Sequence, residues 1–175
     1  MRKQRGAILV TSLLLLLVLT VLGIAMMKMT NMQERMAGNT RDMNMALQGA
    51  EAGLRSGEDQ IDPTRPGNSI LDPATSIAGC EICQPGVLPI ALDRPSVFDW
   101  STEGHEFGVV GSREFPELAE DPQYTVEEIA FIEDSLINGH EYYEDGRVFY
   151  QVSAHSSGAS GLANVVLQST YARPK

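Results

Sequence analysis

Histidine is scarce in this chain. Its three copies, His105, His140 and His155, are scattered, with no serine and aspartate placed to build a nucleophilic relay. No glycine-rich phosphate loop is present either, so nothing resembling an active site can be pointed to and no cofactor or metal is implied. Basic residues are also few, 13 Lys and Arg against 23 Asp and Glu. Three of the 13 (Arg2, Lys3, Arg5) crowd into the first five positions, so the remainder sets 10 basic against 23 acidic residues. Phosphate binding needs clustered cations, and their absence argues against nucleic acid as a partner. There are only two cysteines, Cys80 and Cys83, and no proline between residues 7 and 62. That last absence permits one very long helix.

What fills the proline-free stretch begins as a bilayer-length apolar run. From Ala7 to Met27 no residue is charged; at about 1.5 Å per residue these positions span a hydrocarbon core of roughly 30 Å. The basic start places Met1 in the cytoplasm and everything after Lys28 outside, by the positive-inside rule. A cleavable secretory signal has a shorter apolar region and a small-residue cleavage site after it. Met26 to Met32 is a poor site of that kind, which leaves a signal anchor or something longer.

The pattern continues beyond the apolar run. Met29, Met32, Met36, Met43, Leu47, Ala50 and Leu54 recur at helical spacing and make an amphipathic stripe. A helix over residues 7–57 would be roughly 75 Å long. Ala46, Gly49, Ala50 and Gly53 put small side chains three or four apart, the pattern that lets another backbone approach closely. Glycine costs about 1 kcal/mol relative to alanine in a helix, so Gly38, Gly49 and Gly53 call for a packing reason or a local loosening, and packing against a sheet is the expected one. Eight of the nine prolines then fall in residues 58–122, an irregular connection that Phe98 and Trp100 pin to the core. The last third reads as strands. "YTVEEIAFI" (Tyr124–Ile132) alternates with a slip between Val126 and Ile129, the mark of a bulge or of a strand covered on both faces. "RVFYQVSAH" puts Val148, Tyr150, Val152 and Ala154 on one face, and "ANVVLQSTY" does the same for Val165, Leu167 and Tyr171. "SSGASG" between them reads as a short flexible hairpin loop. The fold class is α+β: a long N-terminal helix, transmembrane in its first half, packed on a C-terminal antiparallel sheet.

"CEIC" has the spacing of a redox motif but lies in a Pro-rich loop, not where a strand meets a helix. Zinc would require two further Cys or His ligands at suitable spacing. Outside the membrane a local Cys80–Cys83 disulfide is the favoured reading, and the chain's acidity together with the loop that holds Cys80 and Cys83 suggests a contact region, because loops are exposed. "EYYEDGR" gathers Glu141, Glu144 and Asp145 at a turn, where a solvated acidic turn is favoured over calcium because EF-hand spacing is missing.

These residues carry a family likeness. A basic leader ending at Gly6, then "RGAILVTSLLLLLVLTVLG" running into "QERMAGNTRDMNMALQGAEAGL", resembles the N-terminal signature of type IV pilins, most closely the PilX-type minor pilins. "FYQVSA" and "NVVLQSTYAR" resemble that family's last strands. The resemblance implies residues 1–6 as a cleaved leader, 7–28 as the membrane and filament-core half of the helix, and 29–58 as its amphipathic half. Residues 59–175 become a periplasmic head, with a loop region over 59–122 and a sheet over 123–173. It implies that a prepilin peptidase cuts between Gly6 and Ala7 and methylates the new amine of Ala7. Glu34, Arg35, Met36, Gly38 and Asn39, within the matching segment, become assembly residues. One departure stands out. Shaft pilins carry glutamate at the fifth position after the cut, where it pairs with the N-terminal amine of an adjoining subunit; Thr11 occupies that position here.

The likeness implies a non-enzymatic minor pilin, held first as a single-pass protein of the bacterial inner membrane and then at the pilus tip on the cell surface. Its implied partners are other minor pilins, the major pilin, a PilY-type tip adhesin, the inner-membrane assembly platform and the prepilin peptidase. Its expected role is to start pilus assembly and display the adhesin, supporting adhesion and twitching motility. The alternatives are a minor pseudopilin of type II secretion, whose K-type members also lack the glutamate but carry a larger inserted domain, and a signal-anchored periplasmic binding domain.

Overall fold

The computed structural model describes residues 7–62, 73, 80–88, 98–108, 114–133 and 146–174. Among these residues six elements follow in order: α1 (Ala7–Ile61), α2 (Trp100–Glu103), β1 (His105–Glu106), β2 (Gln123–Glu133), β3 (Gly146–Ser157) and β4 (Asn164–Pro174). The chain divides into two compact units, residues 1–41 and 42–175. Helix α1 runs 55 residues without a break. It stops at the residue before Asp62, where the following Pro63 disfavours α geometry, and the Asp62 N–H still donates to the Glu58 carbonyl at 3.1 Å.

In the first unit the apolar run has no protein cover. Leu14 is 60% exposed and Leu22 50%, a surface suited to lipid or to other apolar helices. This helix is long and apolar enough to cross a membrane. Its hydroxyls turn back on their own backbone: Ser12 donates to the Leu9 carbonyl at 2.9 Å and Thr20 to that of Leu17 at 2.7 Å. An apolar surrounding therefore leaves those hydroxyl protons satisfied.

In the second unit the four strands form one antiparallel sheet in the order β1-β2-β3-β4. The helical segment from Asp42 lies on one face of it, and its glycines fit one by one against β3. Side chains added at Gly49, Gly53 and Gly57 would run into Ser156, Ala154 and Val152 respectively. Ala46 and Ala50 are fully buried between them. This is the close approach that the small residues of the sequence call for. Beyond it Ile61, Ile82, Val126, Tyr150 and Val152 form the main core, with Leu54, Tyr124, Val148 and Tyr171 around it.

The alternation slip in β2 is a bulge. Glu128 pairs with Tyr150 and Ala130 with Phe149, leaving Ile129 as the extra residue. Past it, Phe131 pairs with Val148 and so shares the helix-side face; without the extra residue it would point the other way.

The opposite face of the sheet is covered as well, which hydrophobic alternation in β3 did not anticipate. Cys80, Cys83, Leu88, Phe98 and Trp100 cluster there, with Val87 and Val166 against them. Trp100 stacks on His155 at 5.3 Å and Phe98 meets Trp100 edge-on at 4.7 Å. Ser153 and Thr125, which a one-sided sheet would leave wet, are consequently buried.

Candidate functional site

Helix α1 carries most of the residues that the sequence marks for assembly. Gly6 lies outside the described residues, and α1 begins at Ala7. Thr11 is exposed, and its Oγ1 donates to the Ile8 carbonyl at 3.0 Å. The side chain is therefore occupied within its own helix and presents no charge. Glu34, Arg35, Met36, Gly38 and Asn39 are all helical and exposed, and Gly38 faces open space, with nothing within 4 Å of an added Cβ. Gly38 thus differs from Gly49 and Gly57, whose missing side chains are required by the sheet. The methionines at positions 29, 32, 36 and 43 remain 52–64% exposed, an unbranched and adaptable apolar stripe of the sort that packs against varied partners.

The cysteines are joined as a disulfide. The cysteines themselves are buried, Cys80 6% exposed and Cys83 1%, while Glu81, Gln84, Pro85 and Gly86 of the same loop stay exposed. The reason is a strand-like attachment. The Cys83 N–H donates to the Val126 carbonyl and the Glu128 N–H to the Cys83 carbonyl, both at 2.9 Å, so Cys83 extends the β1 side of β2. His105 Nε2 lies 2.8 Å from the Cys80 carbonyl oxygen, and the Gly86 N–H reaches Glu127 Oε1 at 2.5 Å. Burial pushes the Glu127 carboxyl above its ordinary range, and the Gly86 bond partly offsets this. The acidic turn with Glu141, Glu144 and Asp145, and His140 beside it, lie outside the described residues. Among the described residues no cluster of His, Cys, Asp and Glu could hold a metal ion.

One polar site escaped the sequence reading. Asp42 of α1 accepts hydrogen bonds from the Ser160 N–H at 3.0 Å and the Ser160 hydroxyl at 2.5 Å. The "SSGASG" loop is thereby tied to the helix. The bonds to Ser160 hold the Asp42 carboxyl below its ordinary range. The two residues stand 118 positions apart, and neither belongs to a periodic pattern.

The chain's two structural parts, an uncovered apolar helix and a head built on its continuation, are what a pilus subunit requires. The PilX N-terminal family model matches residues 5–55, and that of the type IV pilus assembly protein PilX C-terminal region matches residues 38–173. The chain belongs to the PilX family of type IV pilus assembly proteins. It is a PilX-type minor pilin, membrane-anchored through its apolar helix, in a family that is structural and works with other pilus components. No curated protein and no solved structure matches the chain.

Proposed function

We propose that this PilX-type minor pilin is a tip or priming subunit, which joins other minor pilins to start the filament and carries a PilY-type adhesin for attachment and twitching. Thr11 carries the reading. A shaft subunit repeats because each copy supplies a carboxylate for a neighbour's terminal amine, an ion pair that is worthwhile only where both charges leave water and find each other. Thr11 supplies no carboxylate, and its hydroxyl proton is already committed to the Ile8 carbonyl. Such a subunit can receive neighbours below it but fits poorly as a repeating unit.

The proposal includes cleavage between Gly6 and Ala7, methylation of Ala7 by the prepilin peptidase, and passage through the inner-membrane platform with the head in the periplasm. The exposed segment from Glu34 to Asn39 then meets neighbouring helices. Two experiments test these steps. Intact mass and the N-terminal peptide from native membranes should show a chain starting at N-methylated Ala7; a chain starting at Met1 would leave a simple anchor. In sheared filaments the Thr11→Glu variant should become an abundant shaft component, and unchanged tip-level occupancy would remove the support for this role.

A further inference from the structure

The β3–β4 turn, Gly158 to Ala163, combines firm anchoring with an exposed apolar tip. Its base is closed by the Gly158 N–H donating to the Ala163 carbonyl at 2.7 Å and the Gly161 N–H donating to the Gly158 carbonyl at 3.1 Å. Asp42 grips Ser160 from α1, and the Leu162 N–H donates to Ser160 Oγ at 3.2 Å. From the other side the Ala119 N–H donates to the Gly158 carbonyl at 3.2 Å. Gly161 takes a φ of +72°, and an added Cβ there would lie 3.5 Å from that of Ala119. Leu162 nevertheless stands 87% exposed. A single exposed leucine is ordinary, but one on a turn held from both sides loses little freedom when a partner covers it.

The surroundings define that partner. Asp42 lies against the turn, and Glu117 and Glu120, both exposed, flank the Ala119 contact. From Asp42 onward the chain has 22 acidic and 7 basic residues, a difference of 15 negative charges. A second copy would bring the same charge to the same place, and like-charge contact is unfavourable. An apolar point on a turn held between Asp42 and the Glu117 to Glu120 segment fits an apolar socket bordered by Lys and Arg.

We propose that Leu162 is a docking anchor that inserts into such a socket on the head of a different pilus subunit. This rests on family membership, not on the tip or priming role. The test uses the full chain in its native host, with a benzophenone-bearing residue in place of Leu162. Irradiation should give an adduct with another pilin subunit, at a surface carrying Lys or Arg, and the combined Glu117→Lys and Glu120→Lys changes should reduce its yield about tenfold or more. Leu162→Asp should leave the unfolding temperature of the detergent-purified chain within about 1 °C while lowering its recovery in sheared filaments about tenfold; Leu162→Met should retain recovery. No pilin adduct, an adduct with a second copy alone, or full recovery of Leu162→Asp would overturn the proposal. A shaft location with the hetero-subunit adduct intact would instead count only against the tip assignment.

Discussion

Replacing Gly57 by alanine should destabilise the head, while the same change one helical turn earlier, at Gly53, should not. In a helix interior the added methyl is intrinsically favourable by about 1 kcal/mol at either position. At Gly53 the new Cβ would lie 3.3 Å from Ala154 Cβ, 3.4 Å from Pro122 Cβ and 3.5 Å from the Gln123 carbonyl oxygen. Shifts of a few tenths of an ångström relieve those contacts, so most of the helical gain survives. At Gly57 it would lie 2.5 Å from Val152 Cγ1 and 3.0 Å from Tyr124 Cδ2. Val152 is fully buried in β3, an interior strand of the sheet between β2 and β4, and its branched side chain has few rotamers to escape into. Overpacking of this kind costs about 1–3 kcal/mol; a value near the top of that range, offset by the helical gain, leaves Gly57→Ala about 2 kcal/mol less stable. With about 4 °C per kcal/mol for a unit of this size, the two variants should unfold about 10 °C apart. Thermal unfolding of the full chain in detergent micelles, followed by circular dichroism, measures the gap. Equal unfolding temperatures, or a more stable Gly57→Ala, would refute the tight helix–strand contact. Gly49→Ala should fall between them: Leu118 Cδ1 and the Ser156 hydroxyl are side-chain ends that can turn away, while Ser156 Cβ, 3.1 Å from the added Cβ, cannot.

Three further outcomes are expected. The Cys80→Ser, Cys83→Ser double variant should lose about 2 kcal/mol from the opened four-residue loop alone, read as a lower denaturant midpoint that reductant no longer shifts. Burial beside Trp100 lowers the His155 pKa from its ordinary 6.5, with the Asn164 hydrogen bond and Glu120 acting in the opposite direction. The unfolded chain then takes up the proton first, so head stability should fall as the pH drops below about 6.5, and His155→Phe should flatten that portion of the profile. Asp42 acts in a lower window: its depressed pKa gives stability that is present above the ordinary 3.8 and lost as the pH falls through the folded value. The acid-induced loss should shrink in Asp42→Asn, and the Ser160 amide resonance of the parent chain should titrate with Asp42.

The elements most legible in advance were those written as local patterns. The stripe from Met29 to Leu54 and the missing prolines define α1, which runs past the expected end at 57–58 to Ile61, just before the first proline. Ile129 announced its bulge by breaking the alternation of a strand. Gly49 and Gly53, set among Ala46 and Ala50 at helical spacing, announced a close contact, whereas Gly38 of the same helix faces open space. Local patterns do not say what arrives from elsewhere in the chain. The spacing of Cys80 and Cys83 pointed to a disulfide, but its burial depends on Phe98 and Trp100 reaching the same face, and on Cys83 finding the edge of β2. Asp42 and Ser160 are small polar residues in a helix and a turn, where such residues are ordinary. Their pairing is created only when β3 and the helix are already in place.

The contact between α1 and β3 works like a vernier, two scales of slightly different pitch. Four helical residues advance about 6.0 Å and two strand residues about 6.8 Å, so Gly49, Gly53 and Gly57 descend past Ser156, Ala154 and Val152 with about 0.8 Å of slip per step. After two steps the scales still read together. At the next, the small residues give way to Ile61 and Tyr150, which both belong to the main core. One residue inserted into β3 would send every side chain beyond it to the wrong face, and one inserted into α1 would rotate the glycines away by about 100°. Length variation among relatives of this protein should therefore collect between Ile61 and Gln123, where no such scale has to be kept.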